Sequence, residues 1–182
     1  MTKRRRTGKS KASLDSRIRG IRAIFFDVDG VLTDGTLYLG SGEEFKAYST
    51  KDGFGIRVAI AAGLGVFLVT GRSSVGVKRR ASELGVEAFQ NVRNKLDCVK
   101  KICRKISVGL EEAAFVGDDL NDMPVMKEVG LAVAVANASD DLKRVAHLVT
   151  SRSGGHGAGR ELIEKVLRRQ GKWYETVEKF VK

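Results

Sequence analysis

The sequence contains no apolar run of the length that a membrane-spanning helix needs. Such a helix takes about 20 consecutive apolar residues, whereas the apolar runs in these 182 residues are short. The first residues are charged but are not followed by the apolar core of a secretion signal. The only two cysteines, Cys98 and Cys103, are five residues apart on a predicted helix and would not face each other. We therefore expect a cytoplasmic protein with reduced, half-buried thiols and no membrane contact.

The sequence also lacks internal repeats and room for a second domain. With 182 residues and 42% hydrophobic content, the chain is long enough to bury one core. Positive charge is concentrated at one end: residues 1–22 contain nine Lys or Arg and one Asp, so they carry +8 of the net +11, and +3 remains for the rest. The pattern predicts a disordered basic tail over residues 1–20 and one domain over residues 21–182. We expect a solvated tail, with salt-sensitive polyanion binding as the less favoured alternative, and no dedicated nucleic-acid surface.

Apolar runs and amphipathic segments alternate after residue 21, which is typical of an α/β fold: a parallel sheet with helices on both faces. Strands are predicted over residues 22–28, 65–70, 87–89, 113–117, 131–135 and 147–149. Helices are predicted over residues 53–62, 74–84, 95–106, 122–129, 140–144, 158–169 and 172–181. Residues 36–48, with the turn Gly40-Ser41-Gly42, instead predict a β-hairpin. We expect this hairpin to form a flap over the site described next.

Carboxylates follow two of the predicted strands. Asp27 and Asp29 stand in the run AIFFDVDGV, and Asp118, Asp119 and Asp122 stand in AAFVGDDLND. If the strands are neighbours, these groups meet at one spot, where two unit charges about 4 Å apart repel by about 4 kcal/mol at an intermediate dielectric. Such a cluster needs a cation, and oxygen ligands favour Mg²⁺, which usually works beside a substrate phosphate. The pattern predicts Mg²⁺-assisted phosphoryl transfer, although each acid taken singly could equally cap a helix.

The order of the strand-end motifs resembles the haloacid dehalogenase (HAD) phosphatase superfamily. The motifs are DVDG from Asp27, TGR from Thr70, Lys95, and GDDLND from Gly117. The longer segments DVDGVLTDG, DGFGIR, GDDLNDMPVM and GGHGAGRE are similar to its capless branch, the 3-deoxy-D-manno-octulosonate 8-phosphate (KDO 8-phosphate) phosphatases. The resemblance covers roughly residues 21–170. It implies an HAD-like (Rossmannoid) sheet without a cap domain, and hydrolysis of a sugar-acid phosphate in lipopolysaccharide biosynthesis.

The resemblance implies an aspartyl-phosphate mechanism, which the residue types can support. A carboxylate can attack phosphorus, and Asp27 is the predicted nucleophile. Asp29, two positions on, is the predicted general acid and base. Asp118 would bind Mg²⁺ together with the Asp27 carboxylate and the Asp29 backbone carbonyl, while Asp119 and Asp122 would hold metal-bound waters or orient Lys95. Thr70 and Lys95 suit the phosphate oxygens.

The choice of substrate should depend on residues other than these catalytic and metal-binding ones. An Arg fork binds a carboxylate bidentately, and Arg57, Arg72 and Arg80 are the candidates for the carboxylate of a sugar acid. By resemblance, the substrate-binding set is Asp29, Ser49, Thr50, Lys51, Asp52, Gly53, Arg57, Arg72, Arg80 and Lys95. The family usually reads Asn-x-Arg-Asp-Gly where residues 49–53 read STKDG. This departure leaves the identity of the sugar acid open.

The resemblance also implies a homotetramer and a mobile glycine-rich segment. Residues 154–159 (GGHGAG) are expected to close an active site, either their own or that of a neighbouring subunit. His156, within this segment, is expected to face solvent rather than act as an acid.

Two other functions stay open at this point. One is a phosphatase for a nine-carbon ulosonate 9-phosphate (KDN or sialic acid type), which Arg72 disfavours because those enzymes tend to differ there. The other is a non-catalytic HAD-like module, which the intact Asp27, Asp29, Lys95 and Asp118 disfavour.

Overall fold

The computed structural model describes residues 13–40 and 44–181, in which strands and helices alternate. The strands are β1 (Ala23–Phe26), β2 (Tyr38–Leu39), β3 (Glu44–Phe45), β4 (Gly65–Val69), β5 (Glu87–Phe89), β6 (Ala113–Gly117), β7 (Leu131–Ala134) and β8 (Leu148–Val149). The helices are α1 (Leu14–Arg19), α2 (Thr50–Ala61), α3 (Val75–Leu84), α4 (Lys95–Lys105), α5 (Met123–Met126), α6 (Asp140–Val145), α7 (Ala158–Arg169) and α8 (Trp173–Val181). Two 3₁₀ turns, Leu110–Glu112 and Leu120–Asp122, lie on either side of β6.

Six strands form one parallel sheet in the order β5-β4-β1-β6-β7-β8. The central strand β1 pairs with β4 on one side and β6 on the other, so that Phe26 lies between Leu68 and Val116. The residues of β1, β6 and β7 are buried throughout, as in parallel strands covered on both faces. The predicted α/β fold is confirmed, and only α2 separates the hairpin from β4, which leaves no cap domain in the part of the chain that is described.

The strand order decides where the helices and the site lie. From β1 the chain moves outward through β4 to β5, then crosses back to β6 and continues through β7 to β8. Because such crossovers are right-handed, α2 and α3 cover one face, and α4, α5 and α6 cover the other. Helix α7 contacts α1, α2 and α8, so it lies on the α2 face, where Gly159 approaches the Phe26 ring of β1. The reversal at β1 leaves a crevice at the carboxyl ends of β1, β4 and β6, where open α/β sheets bind ligands.

The β-hairpin is confirmed, with strands shorter than predicted. β2 and β3 pair antiparallel, with Tyr38 opposite Phe45 and Leu39 opposite Glu44. Of the predicted turn Gly40-Ser41-Gly42, the last two residues lie outside the described residues. The apolar residues of the hairpin are exposed to solvent: Tyr38, Leu39 and Phe45 are 47%, 76% and 58% exposed.

The N-terminal boundary differs from the prediction. Residues 13–20 were predicted to belong to a disordered tail, which is wrong, because Leu14–Arg19 form a helix whose N-terminus is capped by Ser13. Ile18 is 5% exposed in the core, and the Arg17 guanidinium donates to the Gly130 carbonyl at 2.6 Å. Six residues are too few to show helical periodicity beside a run of basic residues. Residues 1–12, also predicted to be tail, lie outside the described residues.

Two helices near the site also have other bounds than predicted. Helix α2 begins at Thr50 rather than residue 53, because the Ser49 hydroxyl accepts a hydrogen bond from the Asp52 amide and caps the earlier turn. The predicted helix over residues 122–129 is the 3₁₀ turn Leu120–Asp122 followed by only four α-helical residues. Beyond Met126 the chain continues as a turn, in which the Glu128 amide donates to the Val125 carbonyl three residues back, and the Gly130 amide then donates to the Leu110 carbonyl.

The structure also bears on the predictions about the thiols and about membrane-spanning helices. Both cysteines are free thiols; Cys98 is half-buried, as predicted, whereas Cys103 is buried. Among the described residues, no helix has both the length and the apolar character to cross a bilayer.

Candidate active site

The carboxyl ends of β1, β4 and β6 bring the predicted catalytic residues together. Asp27 directly follows β1, Thr70 follows β4 and Asp118 follows β6. Asp27 and Thr70 are 4% and 1% exposed. They open onto a cavity of about 240 Å³, lined by Asp27, Asp29, Thr70, Gly71, Arg72, Asp118, Asp119 and Asn121.

Three of the carboxylates form a cluster around the Lys95 ammonium. Asp27, Asp118 and Asp122 each offer an oxygen within 4.8 Å of the others. Lys95 Nζ lies 2.9 Å from Asp27 Oδ1 and 2.6 Å from Asp122 Oδ1. Lys95 comes first in α4, whose N-terminus is capped by the Asn94 side chain, so the helix start aims this lysine into the cluster.

The electrostatics of the cluster indicate a deficit of positive charge. Burial and then the charge of Asp122 raise the pKa of Asp27 to about 8, against the lowering effect of Lys95. Burial and Asp122 likewise raise the pKa of Asp118 to about 6, and burial raises the pKa of Asp122. Burial opposes the charge on Lys95, but the carboxylates of Asp27 and Asp122 raise its pKa. One ammonium therefore does not compensate three carboxylates, of which Asp27 and Asp122 are buried and Asp118 is half-buried. This all-oxygen donor set fits a hard divalent cation such as Mg²⁺.

Two glycines make the close approach possible. Gly30 has φ +86°, and a Cβ there would lie 1.9 Å from Asp118 Oδ2. A Cβ at Gly117 would lie 2.5 Å from Asp122 Oδ2. Larger residues at either position would push the carboxylates apart, which explains why both motifs carry glycine.

The remaining predicted metal residues differ in position. Asp122 is fully buried, and its Oδ2 accepts from the Asp118 amide at 3.1 Å while its Oδ1 holds Lys95. Asp119 lines the cavity, but its Oδ1 accepts from the Leu120 amide at 2.8 Å and caps the 3₁₀ turn. The geometry thus matches the orienting role for Asp122, while Asp119 lies at the rim.

The hairpin reaches into this site through two ion pairs. Lys46 contacts Asp29 Oδ1, and its Nζ also lies 2.9 Å from Glu44 Oε1. Glu44 Oε2 in turn lies 2.6 Å from the guanidinium of Arg72. Sequence reasoning missed both Lys46 and Glu44. Their i, i+2 spacing predicts a shared face on a strand, but nothing in the spacing indicates which face meets Asp29.

Arg72 lies where it was predicted, at the rim of the cavity. Its backbone amide donates to Thr70 Oγ1 at 3.2 Å, which leaves the hydroxyl hydrogen of Thr70 available to a ligand. The Arg72 side chain is 48% exposed and already paired with Glu44. A substrate carboxylate would therefore share or displace this partner.

The other predicted sugar-acid residues do not line the cavity that contains Asp27. Ser49, Thr50 and Lys51 line a separate cleft of about 410 Å³ together with His156. Arg57 is exposed on α2. Within this chain, the predicted substrate-binding residues thus do not share one cavity.

Arg80 and Gly53 lie together, away from the metal cluster. The Arg80 guanidinium lies 5.6 Å from the centre of the Tyr48 ring and 2.8 Å from Glu83 Oε1. A Cβ at Gly53 would lie 2.2 Å from an Arg80 nitrogen, so this glycine makes room for the arginine.

Asp52 was predicted to bind substrate, but in the structure it binds backbone amides at the start of α7. It is 2% exposed, and its two oxygens accept from the Gly157 amide at 3.2 Å and the Arg160 amide at 2.7 Å. Burial raises its pKa, although these hydrogen bonds oppose the rise. Because α2 begins at Thr50, this carboxylate points at the start of α7 rather than into the cavity.

The glycine-rich segment, which was predicted to be mobile, packs against its own chain in this structure. The Gly154 amide donates to Asn137 Oδ1 at 2.9 Å, and the Gly155 amide donates to the Val31 carbonyl at 3.0 Å. A Cβ at Gly154 would lie 1.7 Å from the Gly30 carbonyl oxygen. The segment is therefore packed against the loop that follows Asp27 in its own chain, and supports that loop from behind.

Comparisons with known proteins agree with this geometry. A family model described as haloacid dehalogenase-like hydrolase matches residues 86–162. The 3-deoxy-D-manno-octulosonate 8-phosphate phosphatase KdsC of Escherichia coli (strain K12) is 42% identical over 171 residues, which cover 93% of this chain and 91% of that protein.

Solved structures of phosphatases are also similar to this chain. The 3-deoxy-D-manno-octulosonate 8-phosphate phosphatase of Yersinia pestis has a TM-score of 0.86 at 40% identity, covering 87% of each chain. The enzyme of that name from Moraxella catarrhalis, solved with a magnesium ion, a phosphate ion and KDO, has a TM-score of 0.88 at 33% identity, covering 91% of this chain and 97% of that one. This chain therefore belongs to the haloacid dehalogenase-like hydrolases, within the family of 3-deoxy-D-manno-octulosonate 8-phosphate phosphatases.

Proposed function

We propose that this protein is a Mg²⁺-dependent phosphatase that hydrolyses KDO 8-phosphate to KDO and phosphate through an aspartyl-phosphate on Asp27. The observation that carries the proposal is the convergence of Asp27, Asp118 and Asp122 at the carboxyl ends of neighbouring strands, with Lys95 paired to Asp27 and Asp122. The identity to KdsC over 93% of the chain supports the substrate, as does the similar structure that contains magnesium, phosphate and KDO. On this basis the reaction belongs to lipopolysaccharide biosynthesis.

Mg²⁺ would be held by the carboxylates of Asp27 and Asp118 and the backbone carbonyl of Asp29. When bound, it neutralises charge on the phosphate and on the carboxylates around it. Asp122 binds no substrate in this scheme; it fixes the ammonium of Lys95, 2.6 Å away.

The chain's own residues account for both chemical steps. An oxygen of Asp27 attacks phosphorus and the bond to the sugar oxygen breaks, while Asp29 gives a proton to the leaving alkoxide. Lys95 and the Thr70 hydroxyl hold the phosphate oxygens where negative charge must be stabilised. In the second step Asp29 takes a proton from the attacking water, which releases phosphate and regenerates Asp27.

Arg72 is the proposed partner of the substrate carboxylate, since it is the one arginine among the residues that line the cavity. Arg57, Arg80 and residues 49–53 remain predicted substrate contacts. In the described chain they lie outside the cavity, so the proposal assigns them to the active site of a neighbouring subunit.

A homotetramer in the cytoplasm is part of the proposal. The exposed apolar side chains of the hairpin, Tyr38, Leu39 and Phe45, support self-association, because an assembly would cover them. The free thiols of Cys98 and Cys103 are consistent with a reducing compartment.

Phosphate release over a panel of substrates tests the proposal. With excess Mg²⁺ we expect KDO 8-phosphate to be preferred over a nine-carbon ulosonate 9-phosphate and over glucose 6-phosphate, and EDTA should abolish turnover. Comparable rates on glucose 6-phosphate would contradict a sugar-acid substrate, and preference for the nine-carbon acid would favour the alternative enzyme.

Substitution of the nucleophile tests the mechanism. Asp27→Asn is nearly isosteric but cannot attack phosphorus, so turnover should be lost while the circular dichroism spectrum is unchanged. Asp141→Asn, an exposed site on α6, is the control and should retain activity. Persistent turnover in Asp27→Asn would refute the aspartyl-phosphate.

A further inference from the structure

Lys46 is the least expected residue near the reaction centre. It follows β3 in the hairpin, where a lysine would ordinarily extend into solvent, yet its side chain is 1% exposed. Its ammonium contacts two carboxylates, Asp29 and Glu44, and no other carboxylate among the described residues lies within salt-bridge distance. A buried ammonium is stable only when it is paired, so its position requires both partners.

The carboxylate of Asp29 depends on Lys46 for its orientation. Lys46 contacts Asp29 Oδ1, whereas Asp29 Oδ2 is buried without a hydrogen-bond partner in the described parts of the chain. By contrast, Asp27 and Asp122 share Lys95, and Asp122 also accepts a backbone amide. The proposed general acid is therefore oriented by one donor, and that donor belongs to the flap.

Lys46 is in turn held by a chain of charges that runs outward to the rim. Glu44 Oε1 lies 2.9 Å from Lys46 Nζ, and Glu44 Oε2 lies 2.6 Å from Arg72. Glu44 and Lys46 are two residues apart on the hairpin, so both side chains extend from its inner face. The arrangement connects the arginine that would meet the substrate carboxylate with the acid that would protonate the leaving group.

We propose that Lys46 is a positioning residue for the reaction, which holds the Asp29 side chain in place for proton transfer to the leaving oxygen, with Glu44 holding Lys46. This inference rests on the proposed phosphatase function. It gives the hairpin a part in the chemistry beyond covering the site. Its consequence is a dependence on the leaving group, because only a poor leaving group needs the proton that Asp29 supplies.

The test compares KDO 8-phosphate, which leaves as an alkoxide, with p-nitrophenyl phosphate, whose nitrophenolate departs without a proton. The quantity to measure is kcat/KM, because it covers the reaction up to and including the departure of the leaving group. For Lys46→Met we expect a loss of about 10- to 100-fold with KDO 8-phosphate, since misplacing a catalytic group by about 1 Å can cost 100-fold. The loss with p-nitrophenyl phosphate should stay below about threefold. Lys46→Arg should recover part of the activity, and Lys101→Met, on the exposed face of α4, should match the wild type.

The outcomes separate the proposal from its rivals. Equal losses on both substrates, or no loss on either, would overturn the positioning role of Lys46. If Lys46→Met does not fold, Lys46→Gln decides by the same comparison, because it removes the charge of Lys46 while keeping a polar side chain and leaves the pair of Glu44 with Arg72 in place. A failure of the proposed function itself would be seen separately, as a wild type that releases phosphate from p-nitrophenyl phosphate but not from KDO 8-phosphate.

Discussion

Removing divalent metal should make the stability of this protein fall as the pH rises through neutrality. Burial and the charge of Asp122 raise the pKa of Asp27 from 3.8 to about 8 and that of Asp118 to about 6. In the unfolded chain both groups lose their protons near pH 4 (about the model-peptide value). At intermediate pH the native state holds protons that the unfolded state has released. Each group's contribution is therefore complete below its unfolded pKa and is lost as the pH rises through its folded pKa.

The magnitude follows from the same pKa values. While one carboxyl group is protonated only in the native state, the free energy of unfolding falls by about 1.4 kcal/mol per pH unit. Between pH 6 and 8 this applies to Asp27, so we expect a fall of about 2 to 3 kcal/mol over that window in the metal-free protein. Mg²⁺ binds the ionised carboxylates and should offset the fall, since metal binding releases the protons.

Urea unfolding followed by circular dichroism, in excess EDTA and in excess Mg²⁺, measures this effect. Asp27→Asn should flatten the profile in EDTA, because it removes the group that titrates at the highest pH. Asp52→Asn is the matched control: burial also raises the pKa of Asp52, but it lies at the start of α7, so the Mg²⁺-dependent part of the slope should remain. A flat profile in EDTA, or the same slope with and without Mg²⁺, would refute the argument that these carboxylates form an undercompensated buried cluster.

Two further substitutions and two deletions test other parts of the structure. Arg72→Ala should lower kcat/KM for KDO 8-phosphate by about 30- to 1,000-fold, about 2 to 4 kcal/mol, for the loss of a charge-assisted pair. Its activity on p-nitrophenyl phosphate should fall far less, and equal losses would place Arg72 in the phosphate site. Asp52→Asn should lower the free energy of unfolding by about 1 to 3 kcal/mol, because its amide cannot accept from both backbone amides at the start of α7; an unchanged urea midpoint would contradict this. Deleting residues 1–12 should leave catalysis within about twofold, whereas deleting residues 1–20 should also destabilise the fold by about 2 to 5 kcal/mol, because it removes the buried Ile18. Equal melting temperatures for the two truncated proteins would show that α1 adds nothing to the core.

The catalytic centre could be predicted because its residues follow directly from local patterns. A buried parallel strand reads as a short apolar run, and the residue after it lies at the carboxyl edge of the sheet. Asp27, Thr70 and Asp118 all occupy such positions. Lys95 was predictable from its place in the motif order, and the structure adds that its ammonium is shared by Asp27 and Asp122.

The positions that sequence reasoning misplaced depend on contacts between segments far apart in the chain. Asp52 was expected at the substrate, but it lies 105 residues before the Gly157 amide that it binds. Residues 154–159 were expected to be mobile, but they pack against the loop after β1. Ile18 was assigned to a disordered tail, because the apolar surface that covers it comes from the core of the domain.

The sequence by itself determined the α/β alternation, the hairpin and the chemistry of the carboxylates, since all three depend on periodicity and on residue type at strand ends. Only the tertiary structure decided that the flap turns Lys46 inward onto Asp29 and joins it through Glu44 to Arg72. A strand has two faces, and its residue spacing is the same whichever face is buried. Which face meets the site is decided by how the hairpin packs on the sheet, and therefore by interactions that no local pattern records.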